Sequence, residues 1–246
     1  MGRLFKNELL KMRYSRMLWI VFAGTLAFVV LTGCAPADTL GWGDHGVMAP
    51  FGYMRDCGTA VMMLLSPVVG IFFTQEIRQG TMHNTLSCGV SRKQYFFVKA
   101  ACIMAVCLLN YVVSVLLFAF LRTIVSGFYP PGSYPDSRFS ILMVYQLGCC
   151  ILQFTYITFF MVISVLTNKP AVVNLAGIVI WFCEGVFVNA VPAFRHPMSV
   201  MINMYDLWEE EKVLTLAFIR QFDQCFIMGI VFLALGCLIF LRRDIN

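Results

Sequence analysis

Charge is scarce in this sequence. Only 13% of its 246 residues are Asp, Glu, Lys or Arg, while 60% are hydrophobic. A soluble fold of this length cannot bury that much apolar surface, because size fixes its volume-to-surface ratio. A nucleotide-phosphate loop is absent too: no Gly-x-x-x-x-Gly-Lys-Ser/Thr occurs anywhere in the chain. There is no Cys-x-x-Cys pair among the 10 cysteines, and His45, His83 and His196 are scattered, which argues against a zinc site. Neither an internal repeat nor a low-complexity tract is evident.

What is present is a series of long apolar stretches. About 20 apolar residues at 1.5 Å rise cross a hydrocarbon core of roughly 30 Å. That ruler gives six spans: Met17–Cys34, Cys57–Thr74, Val98–Phe120, Ile141–Leu166, Pro170–Val191 and Phe222–Leu241. The expected fold class is an all-α membrane protein, with residues 17–246 forming one six-span domain. Most cysteines fall inside these spans and read as small apolar fillers. A bridge between Cys34 and Cys57, both near the outer surface, stays open. Leu31-Thr32-Gly33-Cys34 has the form of a lipoprotein cleavage site. The segment before it is too long and carries Glu8, so it reads as helix.

Orientation follows from Lys and Arg. An even number of spans places both termini on one side. That side also receives Arg78, Arg92, Lys93, Lys99 and Lys169, and holds 12 of the 18 basic residues. Arg55, Arg122, Arg138, Arg195, Lys212 and Arg220 fall on the other, with most of the acidic residues. Both termini are therefore expected in the cytoplasm. The net charge of +5 reflects topology and does not point to nucleic acid.

Residues 1–16 are expected to form an amphipathic helix. Phe5, Leu9 and Met12 make an apolar stripe flanked by Arg3, Lys6, Lys11 and Arg13. Such a helix suits the membrane interface and its anionic headgroups. An ordinary basic segment that orients the first span is the alternative. The outer segment 192–221 is too apolar to be freely solvated. It is expected to form short membrane-associated helices before the last span.

The inner loop, residues 75–97, has its own logic. Gly80 permits a left-handed cap at the end of the second span. Thr81 caps a short helix over Met82 to Leu86. Gly89 ends that helix, and Ser91-Arg-Lys-Gln94 has capping-box spacing for the next. The product is a span, a short transverse helix and another span. A stiff element of this kind suits docking into a cleft of a soluble partner.

The pattern Glu76-x-x-x-Gly80-Thr81, then Ser91-Arg92, then Lys99 at the entry of an apolar helix, resembles the ABC-2 type permease family. So does Asn7-Glu8-Leu9-Leu10-Lys11 before the first span. Six spans, cytoplasmic termini and a long segment before the last span share that layout. The small size resembles the permeases of lantibiotic-immunity and bacitracin-resistance exporters. In that family the acidic segment leads into a coupling helix. The resemblance thus implies that Glu76, Arg78, Gly80, Thr81, Arg92 and Lys93 couple the permease to an ATPase. It implies a type V exporter-like fold in a bacterial cytoplasmic membrane. It further implies two separate ATPase subunits and a second permease subunit, identical or homologous. ATP and Mg would be bound by the ATPase, with no cofactor on this chain.

Polar residues within spans are expensive and often functional. Glu184 lies in the outer part of the fifth span and reads as a substrate contact or as a structural hydrogen bond. Asn110, Gln153 and Asn174 read as interhelical glue, with a substrate path as the alternative. The function expected first is export of an amphipathic substrate, with a peptide antibiotic such as a lantibiotic as one example. A sensor or scaffold that binds an ATPase without transporting is the competing class. An intramembrane enzyme fits poorly, because Glu209-Glu-Glu211 has no well-spaced His partner.

Overall fold

A computed structural model describes residues 2–34, 59–78, 82, 85, 87, 89–127, 138–190 and 216–242. All regular structure among them is helical. The long helices are α1 (Gly2–Tyr14), α2 (Arg16–Gly33), α3 (Thr59–Arg78), α4 (Arg92–Ser126), α5 (Arg138–Thr167), α6 (Pro170–Ala190) and α7 (Leu216–Arg242). Among the described residues four stretches are long and apolar enough to cross a membrane: Arg16–Gly33, Arg92–Ser126, Gln146–Thr167 and Phe222–Arg242. The described apolar parts of α3 and α6, Leu64–Glu76 and Pro170–Ile180, are shorter.

Local chemistry sets the helix ends. Ser91 adopts an extended conformation and accepts from the Gln94 backbone N–H, while the Gln94 side chain accepts from the Ser91 N–H. Both orphan donors of the first turn of α4 are thereby satisfied. Gly89, with φ +86°, makes the turn before it. Asn168 takes φ 51° in the short link from α5 to α6, a conformation its side chain tolerates better than most. Pro170 then opens α6, where its fixed φ suits the first turn and its missing N–H is not needed.

With 35 residues, α4 is about 52 Å long, well beyond a hydrocarbon core. Arg122, two residues past the apolar stretch read from the sequence, continues the helix and is fully buried, with its guanidinium 5.6 Å from the Phe118 ring centroid. The helical register carries it back into the bundle.

The central helix is α5. Its apolar window is 61% buried, against 28–33% for those of α2, α4 and α7. It packs on α7, α3, α6 and α4. The fit with α7 is close: a Cβ built at Gly148 would lie 1.6 Å from the Phe222 ring, and one at Gly229 2.5 Å from the Phe154 ring. Thr155 also donates across the same seam to the Cys225 carbonyl at 2.8 Å. The seams α2–α4 and α3–α6 complete the bundle.

One end of this bundle collects several termini. Phe240 near the end of α7 meets Phe73 near the end of α3, and Tyr95 and Phe96 at the start of α4. Their centroids lie 5.5–6.2 Å apart, which is normal aromatic packing distance. This aromatic floor supports the site described next.

Candidate functional site

Glu76 is the centre of an ion network that joins three helices. It stands near the end of α3, three residues after Phe73. Its Oε1 accepts from Lys11 Nζ of α1 at 2.7 Å. Its Oε2 accepts from the Tyr95 hydroxyl of α4 and lies 2.9 Å from Lys99 Nζ. Lys99 Nζ donates in turn to the Tyr95 hydroxyl at 2.9 Å. Lys11 is shared with Glu8, one turn earlier on α1, at 2.6 Å. Two carboxylates and two ammonium groups thus balance.

The sequence explains the placement. Tyr95 and Lys99 are four apart on α4 and so share a face. Glu8 and Lys11 are three apart on α1. The apolar stripe of α1 turns inward: Met12 and Glu8 are buried, and Phe5 and Leu9 pack against the core. The Cys102 thiol of α4 lies 3.8 Å from the Phe5 carbonyl, which marks how closely α1 seats on α4. Trp19 of α2 donates to the Arg13 carbonyl at 2.8 Å and fixes the bend between α1 and α2.

The two ion pairs differ in burial. The Lys11 side chain is 49% exposed and the Lys99 side chain 2%. An exposed pair of this kind is worth up to about 1 kcal/mol. A buried ammonium without its partner would cost several times more. Burial works to raise the Glu76 carboxyl, but the Lys99 charge and the bonds from Lys11, Tyr95 and Lys99 outweigh it and hold the group at about 2. For Lys11, desolvation opposes charge, and the bonds to Glu76 and Glu8 overcome it and raise its pKa. Glu76 and Lys11 are therefore both charged at neutral pH.

The connection from α3 to α4 lies beside the network. Met82, Thr85 and Ser87 are helical. Met82 is fully buried and anchors the segment, while Ser87, Gly89, Lys93 and Gln94 are exposed and Arg92 is half-buried. Arg78 ends α3, but its side chain lies outside the described residues, as do Gly80 and Thr81. Of the six residues singled out in this loop, Glu76, Arg92 and Lys93 therefore have described positions. Glu76 belongs to the network.

The intramembrane candidates are spread out. Asn110 is fully buried and accepts from Thr25 Oγ1 at 3.1 Å, which ties α4 to α2. Gln153 is buried on α5, and Asn174 is half-buried on α6. Among the described residues no hydrogen bond links these three to one another. Glu184 lies on α6, with its side chain outside the described residues. Cys57 and the segment from 192 to 215 are likewise outside, so the Cys34–Cys57 bridge and the outer helices are not addressed. Among the described residues no cluster of His, Cys, Asp or Glu could hold a metal.

Sequence reasoning missed the roles of Lys11, Glu8 and Tyr95 here. A lone lysine one turn inside an apolar helix was the available signal, because a buried ammonium requires a carboxylate.

Residues 4–184 match the family model described as ABC-2 family transporter protein. That is most of the chain, and the chain belongs to this family. No curated protein matches the sequence. Membership and the apolar helices make this a multi-pass membrane transport component, a permease of a family that works with ABC ATPase subunits.

Proposed function

We propose that this chain is the six-span permease subunit of an ATP-driven exporter, and that residues 75–97 receive the push of a separate ATPase. Glu76 carries the proposal. Its two oxygens tie the end of α3, next to the loop, to α1 on one side and α4 on the other. A displacement of the loop cannot move α3 alone without parting buried charges. Force applied there would be shared by three helices.

The surroundings support the same reading. The loop has a buried anchor at Met82 and an exposed polar rim at Ser87, Lys93 and Gln94. Absence of a phosphate loop means that ATP and Mg would be bound elsewhere, by two ATPase subunits beneath two permeases, identical or homologous. The basic residues put both termini and this loop on the cytoplasmic side of a bacterial cell membrane. Residues 1–16 would lie at the interface. An amphipathic substrate drawn from the membrane suits a wall rich in Met and Phe. Peptide antibiotics, and immunity to them, are the expectation drawn from the layout. Asn110, Gln153, Asn174 and Glu184 would be met along the path.

Co-purification tests the partnership. A tagged parent chain should retain its ATPase in mild detergent. Lys93→Glu, which reverses an exposed charge and leaves the network untouched, should release most of it. Equal retention would remove the loop as the docking element. Transport by the reconstituted complex separates an exporter from a scaffold that merely binds the ATPase.

A further inference from the structure

A cavity of about 1010 Å³ opens beside the network, between the end of α1, the start of α2, the end of α3 and the first residue of α6. We propose that it holds the phosphate headgroup of an anionic phospholipid, with the acyl chains running down its apolar wall. This does not rest on the ATPase reading.

Depth is the first argument. The cavity lies where the apolar run of α2 begins at Met17, where that of α3 ends at Phe73, and where α6 starts at Pro170. Helix ends of this kind lie at the level of lipid headgroups.

Charge is the second. Glu8 and Glu76 both line the cavity, as does Lys11. Those carboxylates are committed to Lys11 and Lys99. Arg16 also lines it, is exposed, and makes no ion pair among the described residues. Counting Lys99, which sits behind the wall on Glu76, the described groups around the cavity carry one positive charge in excess, and the Lys11 ammonium is half exposed. The Ser15 hydroxyl lines the same wall and makes no cap bond to α2. A phosphate diester needs this set: a guanidinium, an ammonium and a hydroxyl donor.

Shape is the third. Met17, Ile71 and Phe72 give the cavity an apolar stretch of lining. A free phosphate would leave that apolar wall wet, whereas an acyl chain covers it. Occupancy would add a third anion around Lys11, so the lipid would also bear on the link between α1 and α3.

The test uses the full-length chain in mixed micelles containing phosphatidylglycerol and phosphatidylcholine of matched chains, with bound lipid read by native mass spectrometry. The parent should retain phosphatidylglycerol preferentially. Arg16→Gln should weaken retention about fivefold, the effect of one basic residue at an anionic surface. Arg13→Gln removes the same charge from an exposed position that does not line the cavity, and should leave retention unchanged. Ile71→Trp should reduce binding by filling the apolar wall. Equal loss in the Arg13 and Arg16 variants would overturn the site, because the effect would be general charge. Equal retention of the two lipids would overturn it as well. Displacement of the lipid by inorganic phosphate at the same concentration would reassign the cavity to free anions. Displacement by the purified ATPase would reassign it to protein docking.

Discussion

Lys11 Nζ and Glu76 Oε1 stand 2.7 Å apart although 65 positions separate them in the chain. Through this pair the N-terminal helix is tied to the segment that leads out of α3. The second oxygen of the same carboxylate holds Lys99. Glu76 is thus a joint between α1 and α4, and its loss should be felt on both sides.

The first prediction follows from the unequal burial of its partners. Glu76→Gln leaves the buried Lys99 amine facing a neutral amide, without the carboxylate that offsets its burial. Breaking a buried pair in this way costs about 3–5 kcal/mol. Lys99→Met should cost less, because Glu76 keeps Lys11. The double variant should recover much of the loss from Glu76→Gln. Unfolding midpoints in detergent give the four corners of this cycle, and additive effects would show that the pair is not coupled.

A second expectation concerns pH. Glu76 titrates at about 2 instead of its ordinary 4.5. A depressed carboxyl adds stability at every pH above its unfolded value, and that stability is lost as pH falls from 4.5 toward 2. Lys11 is raised, so its share is complete below 10.5 and fades only above it. Thermal unfolding should therefore show no titration of the Glu76–Lys11 pair near neutrality. The parent should lose stability in acid, and Glu76→Gln should lose less over the same window. An identical acid limb in both would refute the assignment.

Packing between α5 and α7 gives a third. A methyl group at Gly148 would fall within the Phe222 ring, which must then swing away. Overpacking of this sort costs about 1–3 kcal/mol. Gly148→Ala should be destabilising, and Phe222→Leu in addition should restore part of the loss. Gly236→Ala is the control, since its Cβ would meet nothing closer than 3.4 Å. Equal midpoints for the two alanine variants would contradict the close seam.

Much of this architecture was legible in the sequence, and the reason is locality. The capping box at Ser91 and Gln94, the turn at Gly89 and the start at Pro170 each depend on residues within a few positions. The apolar runs that gave the long helices are also local. The network was only half legible. Glu76 stood out by its place in a family-like pattern, but nothing local pairs it with Lys11. The stripe of Phe5, Leu9 and Met12 is legible as an apolar face. In the fold Met12 is buried, while Phe5 and Leu9 pack against the core beside α4. Periodicity shows that a face is apolar and does not say what covers it.

Topology supplies the fourth prediction. The distribution of basic residues predicts Arg92 in the cytoplasm and Asp136 outside. In a background lacking Cys34 and Cys57, an impermeant thiol reagent added from outside should label Asp136→Cys and not Arg92→Cys. The reverse pattern would overturn the six-span arrangement.

The central claim is that the Glu76 joint passes the motion of an ATPase into the bundle. The direct measurement is substrate-stimulated ATP hydrolysis by the complex in proteoliposomes, for the parent and for Glu76→Gln, with subunit retention checked in the same preparations. Coupling free energies between sites usually correspond to factors of about 5–150. Stimulation should fall by a factor in that range while the ATPase stays bound. Undiminished stimulation with an assembled Glu76→Gln complex would contradict the account.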